Sequence, residues 1–309
     1  MGIYAKLIIW LSYFSLLLLA GCSGQEEQAD DGKLKIVCTT GMIGDALQNI
    51  VGDKAEVISL MGPGVDPHLY KATQGDLNAL TSADVIFYNG LHLEGKMGEV
   101  LEKLGRQKKV VALAEALPSD KLINTTNYAG AYDPHIWFDV ALWSEAVAYA
   151  AEKMYTLDTM HAEQYQSNTE AYLQQLDSLH TEVKSQIAAI PAERRVLITA
   201  HDAFTYFGEA YEIEVRGLQG ISTISEYGLR DISDLVNFIV DRGIKAVFVE
   251  SSVPAKSLEA VVEGCRKRGH EVSIGGTLYS DAMGAEGTPE GTYIGMVKKN
   301  VETIKQALM

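Results

Sequence analysis

The chain has 309 residues, with 26 Lys+Arg against 41 Asp+Glu, a formal net charge of −15 and 47% hydrophobic residues. This length and apolar content support two domains with real cores and exclude wholesale disorder. The acidic balance speaks against nucleic acid as a partner, because phosphate binding needs a Lys/Arg surplus, but it does not speak against cations.

Residues 1–21 carry a single charge, Lys6, ahead of a short apolar run, the pattern of a secretory signal peptide. The run is short for a membrane span of about 20 residues. It ends in Leu19-Ala20-Gly21-Cys22, which resembles the bacterial lipobox. That resemblance implies cleavage before Cys22 and lipid on its sulfur, holding the chain at a membrane surface outside the cytoplasm, in the periplasm or at the cell surface. Residues 22–33 are polar and acidic and read as the lipidated Cys with a flexible tether. Three cysteines are too few for a disulfide framework. With Cys22 set aside, Cys38 and Cys265 fall in opposite halves and are expected as buried free thiols.

Short β-branched runs follow at Leu34–Thr39, Glu56–Leu60, Asp84–Tyr88 and Lys109–Leu113, and again at Arg195–Thr199, Ile213–Arg216, Lys245–Val249 and Glu271–Ile274. Near-continuous Val/Ile runs fit strands covered on both faces, and the segments between them, such as Ile43–Val51, Asp76–Thr81 and Ile232–Asp241, have helical character. Between the two sets lies Ala162–Ile190, without Gly or Pro. Its Tyr165, Tyr172, Leu176, Leu179, Val183, Ile187 and Ile190 fall on one helical face, and Pro191 ends it. Such a helix runs roughly 40 Å, long enough to span two lobes while limiting their motion. The expected fold is α/β: two similar lobes, each a mostly parallel four-stranded sheet with helices on both faces, joined by one long backbone helix. The boundaries are an N-terminal lobe at 34–157, a linking helix at 158–191 and a C-terminal lobe at 192–309.

Asp66-Pro-His-Leu-Tyr70 and Asp133-Pro-His-Ile-Trp137 repeat one pattern of Asp, Pro, His, aliphatic and aromatic, far beyond chance. Pro fixes φ just before each imidazole, and Asp66 and Asp133 are placed to accept the ring N–H that faces away from a metal. His201 directly follows the strand Arg195–Thr199, and Asp281 follows the last strand. In open α/β sheets, ligands gather at the carboxyl ends of strands. Two His from one half, with one His and one Asp from the other, make a four-residue site for a divalent transition metal: His68, His135, His201 and Asp281. His161 and His180 lie near or within the long helix, His270 lies between a helix and a strand, and His92, which follows a strand, is a weaker candidate.

Six ordered stretches carry a family resemblance: Met61–His68, Asn89-Gly-Leu-His-Leu-Glu94, Asp133–Asp139, Thr199–Phe204, Phe248–Ser252 and Tyr279–Gly284. From about Lys33 onward the chain resembles the metal-binding solute-binding lipoproteins of ABC importers, the TroA-like group that includes zinc-specific ZnuA-type and manganese-specific PsaA-type proteins. The resemblance implies one metal ion between two lobes, on the same four residues. It also implies delivery to the membrane permease and ATPase subunits of an ABC transporter, with the binding protein acting as a monomer and not as an enzyme. Manganese-specific members carry a Glu at the third position, where this chain has His201. Zinc-specific members often carry a His-rich loop before the second Asp-Pro-His, whereas Leu117–Tyr132 has no His. The expected ion is therefore zinc or manganese.

Three other readings compete. A surface adhesin or interaction lipoprotein has no binding patch in the sequence to argue from. A metal-dependent hydrolase would have Glu250 as its base, but no H-E-x-x-H or G-x-S-x-G motif is present. An organic-solute binder would favour aromatic stacking over convergent His.

Overall fold

The computed structural model describes residues 32–125 and 131–309. The signal peptide, Cys22 and nearly all of the tether therefore lie outside the described residues.

In chain order the first half holds β1 (Leu34–Cys38), α1 (Gly41–Val51), β2 (Ala55–Ser59), α2 (Gln74–Ser82), β3 (Val85–Tyr88), α3 (Gly98–Gly105) and β4 (Lys109–Ala112). Two helices follow, α4 (Val140–Leu157) and α5 (Ala162–Ala188). The second half holds β5 (Val196–His201), α6 (Thr205–Tyr211), β6 (Glu214–Gln219), α7 (Leu229–Arg242), β7 (Ala246–Glu250), α8 (Lys256–Lys267), β8 (Ser273–Leu278) and α9 (Tyr293–Leu308). Both sheets are four-stranded and wholly parallel, with orders β2-β1-β3-β4 and β6-β5-β7-β8. The two halves thus repeat one topology, as the strand runs predict.

Alternation along the strands explains the layers. Ile36, Cys38, Val85 and Phe87 face one side of the first sheet, while Val37 and Ile86 face the other, against Leu80 of α2 and Leu101 of α3. In the second sheet Val196, Ile198 and Val247 pack on Leu235 and Ile239 of α7 and on Leu258 and Val261 of α8. The remaining faces of both sheets meet in one shared core, where Phe87 and Phe248 join the buried stripe of α5. That stripe is Tyr165, Tyr172, Leu176, Leu179, Val183 and Ile187. Leu34–Met309 accordingly form one compact unit. Cys38 and Cys265 are both buried and unbridged.

Three strands extend two or more residues beyond their expected ends. His201 is the last residue of β5 rather than a residue after it, β6 continues to Gln219, and β8 runs through Gly275 and Gly276 to Leu278. Each extension includes residues of low strand propensity. In β6 the cause is close approach: a side chain on Gly217 would collide with the backbone of His201 and Asp202. In β8 the register shifts opposite Val247/Phe248, leaving Gly275 as an extra residue. Among the described residues no helix is long and apolar enough to cross a membrane.

Candidate metal centre

The sheets point the carboxyl ends of their strands toward one another's loops, and His68, His135, His201 and Asp281 meet there. One ligand atom from each lies within 4.8 Å of the others, and all four side chains are buried. The Nε2 atoms of His201, His135 and His68 stand 3.3, 3.4 and 3.7 Å from the Asp281 carboxylate oxygens. Four atoms bound about 2.0–2.2 Å from one tetrahedral ion would sit roughly 3.3–3.6 Å apart; the His201 and His135 separations fall in that range and the His68 separation is slightly longer, so the cluster is close to the size of a single ion's shell. The three Nε2 atoms and both Asp281 oxygens are buried without a hydrogen-bond partner. Burying such groups unsatisfied is costly, which marks the spot as built for something that supplies the missing contacts.

The two Asp-Pro-His turns begin alike and then diverge. In each, the Asp Oδ1 accepts the backbone N–H of its His at 2.9 Å, an Asx-turn that Pro stiffens. Asp133 Oδ1 also lies 2.7 Å from His135 Nδ1, so it orients that ring. Asp66 does not reach the ring of His68. Its other oxygen accepts the Thr223 hydroxyl at 2.6 Å, a bond to the loop after β6, and His68 Nδ1 has no partner. The expected contact of Asp66 with the imidazole is therefore replaced by one that ties the two halves together.

Glu250, expected from sequence only as an enzymatic base, stands at the end of β7 beside His201. Its Oε1 accepts the His201 backbone N–H at 2.8 Å, and Oε2 lies 2.6 Å from His201 Nδ1. That second contact is close but too poorly aligned for a directed hydrogen bond, so its value is chiefly ionic. The available signal was its position at a strand end, the same one that singled out His201. His92, the weaker candidate, is exposed at the rim and outside the four-residue cluster. It lines a cavity of about 530 Å³ that His68 also borders.

The electrostatics follow the contacts. Burial alone would lower the pKa of His201 and His135. The Glu250 and Asp281 carboxylates reverse this for His201 and hold it well above its usual range. Asp133 and Asp281 do the same for His135, raising it to about 9. His68, which burial lowers and only Asp281 opposes, falls to about 3. Asp281 is desolvated, yet His201 and His135 hold it well below the usual carboxylate range.

Loops from both halves are laced together around this cluster. Trp137 Nε1 donates to Ser280 O at 3.1 Å, and Tyr206 donates its hydroxyl to Asp133 O at 3.0 Å. The Tyr293 hydroxyl donates to Trp137 O at 2.7 Å.

A family model described as "Zinc-uptake complex component A periplasmic", ZnuA, matches residues 36–307. The chain belongs to the ZnuA family. Within it, the chain is 51% identical over 296 residues to the manganese-binding lipoprotein MntA of Bacillus subtilis, covering 96% of each. It is 50% identical over 285 residues to the zinc-binding protein TroA of Treponema pallidum, covering 92% of each. The solved structure of that periplasmic zinc-binding TroA superposes with a TM-score of 0.88, covering 90% of this chain and 99% of its own. ZnuA-family membership and this likeness agree with the two-lobed α/β architecture seen here.

Proposed function

We propose that this chain captures one divalent transition-metal ion, zinc or manganese, outside the cytoplasm and delivers it to the permease of an ABC importer. The observation that carries the reading is the set of unsatisfied, convergent atoms of His68, His135, His201 and Asp281. Three neutral imidazoles and one carboxylate form a closed four-atom shell, which suits holding an ion; catalytic zinc keeps a position open for water. Glu250 touches the far side of His201, where it stiffens a ligand rather than activating water. The names of the relatives support the same reading: a manganese-binding lipoprotein, a zinc-binding protein and, at 30% identity over 308 residues, the manganese ABC transporter substrate-binding lipoprotein PsaA of Streptococcus mitis. They also support lipid anchoring through Cys22, an extracytoplasmic location and partnership with permease and ATPase subunits.

Titration calorimetry with zinc and with manganese on the wild type and on a His68→Ala/His201→Ala variant tests the site. The double variant should lose tight binding of both ions; unchanged affinity would remove these residues from the site. Competition between the two ions decides which is preferred, since near-equal identity to a manganese-named and a zinc-named relative does not.

A further inference from the structure

The Asn89–Glu94 segment is distinctive in sequence, yet none of its residues belongs to the ligand set. It leaves β3 in an unusual conformation: φ is +86° at Gly90, +51° at Leu91, +67° at His92 and +38° at Gly95. L side chains avoid that region, so Leu91 and His92 stay there only because the surroundings hold them. Much of the holding comes from one carboxylate. Glu94 is buried; its Oε1 accepts the Asn89 N–H at 2.6 Å and the Thr39 hydroxyl at 2.8 Å, and its Oε2 accepts the Gly90 N–H at 3.1 Å. Thr39 lies just past β1, so the turn is bolted across the point where the first sheet's strand order reverses.

This turn touches both N-terminal ligand loops. Asn89 Nδ2 donates to Pro134 O at 2.9 Å, the carbonyl directly before His135. Gly95 packs so tightly on the other loop that a Cβ there would overlap the carbonyl oxygen of His68. We infer that the turn centred on Glu94 is a positioning clamp that sets the spacing of His68 and His135 before any ion arrives. Glu94 contacts neither ring and acts through the Asn89 and Gly90 backbone and the Thr39 hydroxyl. The inference rests on reading the four residues as a metal site, and it adds a reason why two long loops present their imidazoles in register.

Hydrogen exchange on the metal-free full chain, read in peptides spanning residues 66–70 and 133–137, tests this together with zinc titration. In Glu94→Gln an amide N–H must face one of the three donors, so exchange should quicken in both loops and zinc affinity should fall about 10- to 100-fold. Asn89→Ala should quicken only 133–137, and Gly95→Ala only 66–70. Wild-type exchange in both loops of a folded Glu94→Gln variant would overturn the clamp. If that variant does not fold, wild-type exchange in 133–137 of Asn89→Ala together with wild-type exchange in 66–70 of Gly95→Ala would overturn it equally. A wild type that takes up neither zinc nor manganese would defeat the functional reading instead, and the exchange contrast would still decide the clamp.

Discussion

The three imidazoles are not equivalent. His135 and His201 each have a carboxylate at Nδ1, which leaves Nε2 facing Asp281, whereas His68 Nδ1 has no partner. The carboxylates also raise the pKa of His135 to about 9 and hold His201 well above its usual range, which favours the doubly protonated, cationic ring at both while the site is empty. An incoming ion must displace those protons, because only neutral imidazole ligates. Binding at pH 7 should therefore release about two protons, and affinity should fall as pH drops. Calorimetry in buffers of different ionisation enthalpy measures the number directly; zero release would contradict it. Glu250→Gln keeps the shape but removes the charge beside His201. It should weaken metal binding about 10- to 100-fold, read by competition with a chelator of known affinity.

At the scale of elements, β5 and β7 place His201 and Glu250 side by side, and β1 and β3 do the same for Thr39 and the turn that ends in Glu94. In both sheets a buried glutamate, the last residue of β7 in one and six residues past β3 in the other, reaches back to the end of the first strand. The strand runs, the long helix and the four convergent residues were legible in the sequence, because β-branched runs, helical spacing and a repeated tripeptide are local signals. The partners of His201 and Asp66 were not. Glu250 meets His201 only because β7 pairs beside β5, and Asp66 turns to Thr223 only because the loop after β6 crosses from the other half. Neither neighbour is marked by spacing along the chain. Helix α5 binds the halves through its buried stripe, and Asp45 of α1 accepts from both the Tyr172 hydroxyl of α5 and the Tyr293 N–H of α9. Leu176→Ala in that stripe should cost about 2–5 kcal/mol of stability. Urea unfolding measures the loss, while metal affinity of the folded protein should stay near wild type, since Leu176 lies outside the site.

For the whole molecule, a ligand held by both halves must also stabilise both. Metal at 100 times its dissociation constant should raise unfolding free energy by about 2.7 kcal/mol. Thermal or urea unfolding with and without the ion measures it, and a gain confined to one half would mean that the other contributes no ligand. The shared core and the bonds from Trp137 and Tyr206 leave little room for wide hinge motion. Scattering profiles of the metal-free and metal-loaded chain should accordingly nearly superimpose.

The two buried thiols offer a way to watch this. Cys38 sits in a strand of the first sheet and Cys265 in a helix against the second, with neither bridged. Nature has thus placed one silent tag in each half. A thiol-alkylating probe can reach either residue only when its own surroundings open, so peptide-resolved labelling times the breathing of each half separately in the unmodified sequence. Equal rates would report a body that opens as one, with the long helix as its spine. Unequal rates would show which half yields first, and added metal should slow both together.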